Sequence, residues 1–327
     1  MINKVRSGIK RLKWWAQDLA FRSGIAHLPV DREVRRILVY HGLAPQLLPN
    51  LNGRFMTNAA FEEQAALLKQ HGEVITFDQY MDGYQAKGKM TICLTFDDGY
   101  LNNFTELLPI LEKYELPAVF YITGIIESPY SMLWPDMVDL YRHYGPETLE
   151  FNGNIYRKGK NQYQRSGGSL KHDLNQEGWA TKEALYAQLE ASVKENIQEN
   201  DWYFWKQCNK EQLKALAEHP LITIGSHTQH HNCLGLIDLD AAFQEMKQSR
   251  EWLEALTGKP VRSLAYPHGS YTRAVVDAGE QAGYDYQLAV DLLHPEDHQD
   301  PRVLPRICSN PYISAHNQLK AFYDGHY

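Results

Sequence analysis

With 327 residues, 43% of them apolar and 22% charged, the chain is long enough to bury the core of one large α/β domain. A formal net charge of −7 and a pI near 6.1 exclude a general nucleic-acid binder, which needs a basic surface to meet phosphates. The four cysteines, at 93, 208, 233 and 308, have no close spacing and read as reduced thiols of a cytosolic protein, although Cys233 lies near enough to a histidine cluster to count as a metal-ligand candidate.

The first 24 residues differ from the rest. Six basic residues (Lys4, Arg6, Lys10, Arg11, Lys13, Arg22) accompany one acid, Asp18, while Ile2, Val5, Ile9, Leu12, Trp15 and Leu19 recur at helical spacing. No uninterrupted apolar core exists for a secretory signal or a membrane span. The expectation for 1–30 is a basic amphipathic helix. It either lies on the anionic inner face of the cytoplasmic membrane, with Trp14 and Trp15 among the headgroups, or docks on the flank of the domain formed by 31–327.

Strands are then predicted at 37–41, 74–77, 91–96, 117–122, 221–224, 263–266, 286–290 and 303–307. Helices are predicted at 58–70, 102–114, 240–256 and 273–281, the last capped by Thr272 and stopped near Gly283. A long insertion at about 127–217 interrupts this rhythm. It holds a hairpin at 149–156 turned at Asn152-Gly153, a polar stretch at 158–168, a helix at 182–198 and the aromatics Trp202, Tyr203, Phe204 and Trp205. Emerging between two strands, it is expected to cap the domain, its aromatic cluster either stacking on sugar faces or anchoring the insertion.

Chemistry concentrates in two places. Asp97 and Asp98 follow the strand at 91–96, and Gly99 lets the chain turn there; two carboxylates this close resist ionising together unless a cation or a proton is shared. His227 and His231 follow the strand at 221–224 at i, i+4, which sets two imidazoles on one face if that turn is helical, with His230 pointing elsewhere. Two histidines and one carboxylate suit a divalent metal with an open position; zinc leads, and cobalt, nickel and iron fit the same donors. Strands alternating with helices, with the chemical residues at the strands' C-terminal ends, describe a parallel β/α barrel.

The segment Thr95-Phe96-Asp97-Asp98-Gly99 followed by His227-Thr228-Gln229-His230-His231 resembles the polysaccharide deacetylases, the NodB-like group of family 4 carbohydrate esterases. A third family segment, a Pro-aromatic-Gly turn, is matched by Ala265-Tyr266-Pro267-His268-Gly269. The resemblance implies an α/β fold, a distorted parallel (β/α)7-type barrel with a long capping insertion. It also implies that Asp98, His227 and His231 hold the metal and that Asp97 is the general base. Tyr100, through a backbone N–H near it, and Tyr266, Pro267 and His268 would meet the substrate.

Two departures from the family pattern stand out. The arginine expected before the Pro-aromatic-Gly turn is Ala265, and Arg262 lies three residues too early. The late family histidine is matched in spelling by His294, within an acidic loop. The permuted poly-N-acetylglucosamine deacetylase subgroup, which carries a Tyr-His at its first strand, offers His41 instead as the general acid. Its ending resembles Leu304-Pro305-Arg306-Ile307, so Arg306 would replace the missing arginine and orient Asp97.

The implied reaction is removal of an N-acyl group, acetyl first, from an amino sugar of a cell-surface glycan precursor that is lipid-linked or nucleotide-linked. Deformylation of such a sugar is the second reading, and a catalytically inactive glycan-binding or scaffold barrel the third.

Overall fold

The computed structural model describes residues 13–21, 23, 25, 32–47, 51–194 and 196–327, without the side chains of 190–194. Most of the expected basic helix, residues 1–12, 22, 24 and 26–30, lies outside them. The principal sheet has nine strands: β1 (Arg35–Tyr40), β2 (Gly72–Val74), β3 (Met90–Phe96), β4 (Ala118–Ile122), β5 (Ile222–Ser226), β6 (Ser263–Ala265), β7 (Tyr286–Leu288), β8 (Val303–Leu304) and β9 (Ile307–Cys308). Every pairing in it is parallel, in the order β8-β7-β6-β5-β4-β3-β1-β9, with β2 beside the first half of β3. The last two strands belong to one stretch broken at Pro305-Arg306. Val303 and Leu304 pair with β7 while Ile307 and Cys308 pair with β1, so this stretch joins the two edges of the sheet. The expected distorted, seven-position barrel is what forms.

The strand period decides what points where. Ile37, Cys93, Val119, Tyr121, Ala265 and Leu288 form a small cluster inside the barrel. Their neighbours Leu38, Tyr40, Ile92, Leu94, Phe96, Phe120 and Ile224 belong to the larger core under the surrounding helices. Continuing each inward set by its period of two, to the first residue past the strand, reaches His41 after Ile37 and Val39, Asp97 after Cys93 and Thr95, and His227 after Gly225. Gly225 is required inside: a Cβ there would stand 2.3 Å from the Tyr121 ring.

The surrounding helices include α1 (Asn58–His71), α2 (Leu108–Tyr114), α5 (Lys210–Glu218), α6 (Leu239–Thr257), α7 (Arg273–Gln281) and α8 (Ala315–Asp324), while α3 (Trp134–Tyr144) and α4 (Trp179–Lys194) lie in the insertion. Neither α3 nor α8 was evident from periodicity. The expected strand at 74–77 ends at Val74, because Thr76 and Gln79 form a capping box that starts a short helix, Phe77–Met81.

The hairpin at the insertion forms as expected, with Asn152 and Gly153 both at positive φ, and is extended by Tyr163–Arg165 and Gly168–Ser169 into a four-stranded sheet. A second core, including Trp134, Tyr141, Tyr156, Tyr186 and Phe204, fixes the insertion to the barrel top. Trp202 stacks on Tyr203, whose carbonyl accepts a hydrogen bond from Asn102. These aromatics anchor the insertion, and none lines the central cleft.

Candidate active site

Asp98, His227 and His231 meet at the C-terminal ends of β3 and β5, all buried, with one donor atom from each within 4.8 Å of the others. His227 Nε2 and His231 Nε2 lie 3.4 and 3.2 Å from Asp98 Oδ1. His227 Nδ1–H donates to the Ala265 carbonyl at 2.7 Å, which leaves Nε2 as a lone-pair donor facing the carboxylate. The two histidines do not ride a helical turn. They bracket a loop in which Thr228 and His231 have φ of 66° and 59°, and the His231 amide donates to Thr228 Oγ1 at 3.1 Å. Asp98 itself has φ 81°. Left-handed backbone at such residues costs on the order of 1–3 kcal/mol each, and the surrounding packing holds all three where they converge.

The donor set fits a divalent cation. Asp98 is fully buried, and neither of its oxygens makes a hydrogen bond of good geometry. Burial works to raise its carboxyl, but Arg54 and the two imidazoles outweigh it and hold the group well below the usual carboxylate range. Burial lowers His231 against the pull of Asp98, which favours the neutral, metal-binding form. A cation beside Oδ1 would satisfy an anion that the protein leaves under-bonded. Cys233, by contrast, is turned toward Asn175 and belongs to no such cluster.

Asp97 sits apart from those donors in a buried bidentate pair, Arg306 Nη1 and Nη2 donating to its two oxygens at 2.7 and 2.8 Å. Arg306 is held by Thr95 Oγ1 and the Ala289 carbonyl as well. Burial alone would raise the Asp97 carboxyl; the guanidinium, with His227, brings it below its ordinary value. Arg306 thus stands where the sequence placed an arginine for Asp97, while Arg262 is committed to Asp285 and Asp78 on the surface.

These groups open on one cleft of about 400 Å³, within the size range of small-molecule sites. His41, Asp97, His227, His231, Tyr266, His268 and Arg306 all line it. His268, at φ 55°, brings its ring centroid 5.0 Å from that of His231. His41 is half-buried, and burial pushes its imidazole down to about 4. Pro267 is buried and does not line the cleft.

A family model described as polysaccharide deacetylase matches residues 84–151 and 172–287, more than half of the chain. The chain belongs to the polysaccharide deacetylase family. Poly-beta-1,6-N-acetyl-D-glucosamine N-deacetylases of Staphylococcus aureus strains N315 and MRSA252 are 26% and 25% identical to it over 171 residues. Each match takes in 50% of this chain and 52% of the relative, so the chain spans about half the length of these curated relatives. Among solved structures, the Streptococcus pyogenes deacetylase PplD in complex with acetate matches with a TM-score of 0.57 at 17% identity, over 89% of this chain and 99% of that one. IcaB from Ammonifex degensii matches at 0.53 and 17%, over 91% and 99%. At these identities the two structures show the shared barrel.

Against the family pattern, one expected residue stands elsewhere. His294 is outside the cleft: its backbone amide bonds Asp297 at 2.9 Å in a capping box, and its ring meets Tyr271 edge-on. The Tyr100 side chain is fully buried behind the site, its hydroxyl donating to Asp136 Oδ2 at 2.8 Å and accepting from Arg54. Sequence reasoning missed Arg54 altogether. Its Nη1 lies 3.1 Å from Asp98 Oδ2, and its Nη2 reaches Asp136 at 3.0 Å, so it occupies one Asp98 oxygen while both imidazoles face the other. Arg54 comes from a loop with no motif and no period, which carries no sequence signal.

His230 points away from the cleft, as expected. It stacks on Trp179, and its backbone N–H and Nδ1 reach the two oxygens of Glu245 at 2.8 and 2.7 Å. Trp134 and Lys182, both in the insertion, grip the same loop from above. Trp134 Nε1 donates to the His231 carbonyl at 2.9 Å, and Lys182 Nζ donates to Asn232 Oδ1.

Proposed function

We propose that the protein is a metal-dependent hydrolase that removes an N-acyl group, acetyl first, from an amino sugar of a cell-surface glycan precursor. The observation that carries this reading is the meeting of a buried, under-bonded Asp98 with His227 and His231, whose imidazoles line one cleft beside an Asp97 held separately by Arg306. A divalent cation, zinc before cobalt, nickel or iron, would be held by Asp98, His227 and His231 and would supply Lewis acidity and an acidified water.

The chain's own groups divide the remaining work. Asp97, ionised and fixed by two hydrogen bonds, is the base that takes a proton from water. Arg306 sets the angle of that carboxylate and keeps it off the cation. His41, held neutral by burial, faces the cleft from the neighbouring strand end and would hand on to the leaving nitrogen a proton that it first takes up as negative charge develops beside it; His294 stands outside. Tyr266 and His268 form the wall against which the sugar and its acyl group would rest.

The staphylococcal relatives are by name poly-N-acetylglucosamine deacetylases, which supports acetyl as the group and an N-acetylated amino sugar as the substrate. We place the reaction on a lipid-linked or nucleotide-linked form in the cytoplasm. The four free cysteines and the basic segment at the amino terminus support that setting. The test is release of acetate and formate, quantified separately, from lipid-linked and nucleotide-linked N-acylated amino sugars by metal-loaded protein. Acetate release that vanishes in Asp97→Asn is expected; formate alone would move the reading to deformylation, and no release from any of them would favour a non-catalytic glycan-binding barrel.

A further inference from the structure

A short helix at 13–21 lies along α8 and is held there by specific contacts. The Trp14 carbonyl accepts a hydrogen bond from Asn317 Nδ2 at 3.0 Å, Asp18 accepts from the same amide at 2.7 Å and from Ser314, and Phe21 stacks on His316 with ring centroids 5.5 Å apart. That face is spent on the protein. The adjoining face is not: Trp15 is 65% exposed and Leu19 55%, one turn apart, and Ile25 beyond them is 81% exposed. Holding a helix in place while leaving its Trp and Leu in water costs apolar exposure that a merely structural strut has no need of.

Charge indicates the occupant. Residues 1–13 carry Lys4, Arg6, Lys10, Arg11 and Lys13 and no acid, in a chain whose net charge is −7. The one acid of the segment, Asp18, is turned inward onto Asn317 and Ser314, so it does not oppose an anionic partner. A tryptophan and a leucine beside a dense lysine and arginine run suit lipid headgroups, whereas protein interfaces are depleted in lysine. No described helix is long and apolar enough to cross a membrane, so the contact would be at the surface.

Position gives the contact a purpose. The helix meets α8 at its first turn, next to Tyr312, which is 57% exposed and whose hydroxyl bonds the Gly53 carbonyl at 3.2 Å. Gly53 lines the cleft. We propose that helix 13–21 is a surface anchor, laying Trp15 and Leu19 into the headgroup region of an anionic bilayer and holding the cleft mouth beside it. Resting on the deacetylase reading for its substrate, this deepens that reading to amino sugars carried on a membrane lipid.

Flotation of the metal-loaded 327-residue chain with phosphatidylglycerol/phosphatidylethanolamine vesicles tests the anchor. The wild type should float with these vesicles, less with phosphatidylcholine alone, and progressively less from 0.1 to 0.5 M salt on the order of a Debye-screened contact. Trp15→Ser/Leu19→Ser should lower partitioning about tenfold or more while its thermal unfolding and its turnover of a water-soluble N-acetylated amino sugar stay as in the wild type. Wild-type protein that stays in the soluble fraction, or a variant that floats equally well, overturns the proposal. So does a wild-type dimer, seen by sedimentation velocity without vesicle binding, that the variant abolishes, since the surface would then be a protein interface. Flotation as expected with no acyl release from any substrate would leave the anchor standing and remove the deacetylase reading instead.

Discussion

Replacing Arg306 with methionine tests the assignment of the two aspartates most sharply. In the wild type the guanidinium and the Asp97 carboxylate are both buried and doubly bonded, at 2.7 and 2.8 Å. Arg306→Met leaves a buried, unpaired carboxylate, and breaking such a pair from one side costs about 3–5 kcal/mol. Asp97→Asn alone strands the guanidinium instead, partly relieved by Thr95 and the Ala289 carbonyl, at about 2–4 kcal/mol. The double variant strands neither charge. It should cost far less than the sum of the two, giving a coupling of at least about 2 kcal/mol.

The assay is urea unfolding of all four proteins at pH 7 with a chelator present, so that metal does not contribute. The pH dependence has a definite sign. Asp97 is depressed in the folded state, so its contribution is present above the ordinary carboxylate pKa of about 3.9 and lost as pH falls through the lower folded value. The coupling should therefore be undiminished from pH 7 to 5. Additive single-variant costs at pH 7 would refute the pairing and, with it, the claim that Arg306 keeps Asp97 ionised and off the cation.

Asp98→Asn should weaken zinc binding by more than the roughly 10- to 100-fold typical of losing an outer-shell partner, whereas Asp97→Asn should keep affinity within a few-fold, both read by competition with a chromogenic chelator. Equal affinity in wild type and Asp98→Asn would sink the ligand set. His41→Gln should lower kcat by roughly 10²–10⁴ with little change in KM, while His294→Gln should leave kcat near the wild-type value; the reverse pattern would return the proton donor to the late loop. Lys182→Met should cost about 10-fold in metal affinity by leaving Asn232, beside His231, held by Glu245 alone, and unchanged affinity would mean that Lys182 does not support the site.

What could be read from the sequence follows from which forces leave a periodic or local trace. The inward series Ile37, Val39, His41 and Cys93, Thr95, Asp97 is written in the strand period, so the barrel and two of its chemical side chains are legible. His227 and His231 were rightly brought together, but for the wrong backbone. Their i, i+4 spacing suggested a helical turn, whereas two left-handed residues and the Thr228 hydroxyl make the loop. Arg306 was found only through a resemblance in the last strand, because nothing near 306 announces that its partner is 209 residues away. Arg54, Trp134 and Lys182 were invisible for the same reason: their contacts with the ligand loop and Asp98 are long-range and aperiodic.

Those unseen residues change the meaning of the insertion. Emerging between β4 and β5, it could have been a lid with its own core and no say in the chemistry. Instead its first long helix supplies Trp134 to the His231 carbonyl and Asp136 to Arg54, and its second supplies Lys182 to Asn232. Glu245 of α6 holds Asn232 and His230 from the opposite side. The loop carrying His231 is thus clamped between the insertion and the barrel's own helix, and the strained backbone that aims the imidazole at Asp98 depends on both. Arg54 belongs to the same clamp, since Asp136 shares the guanidinium that would otherwise compete with a cation for Asp98. The candidate metal site is therefore a property of barrel and insertion together, and changes in the insertion far from the cleft should reach it through Trp134, Asp136 and Lys182.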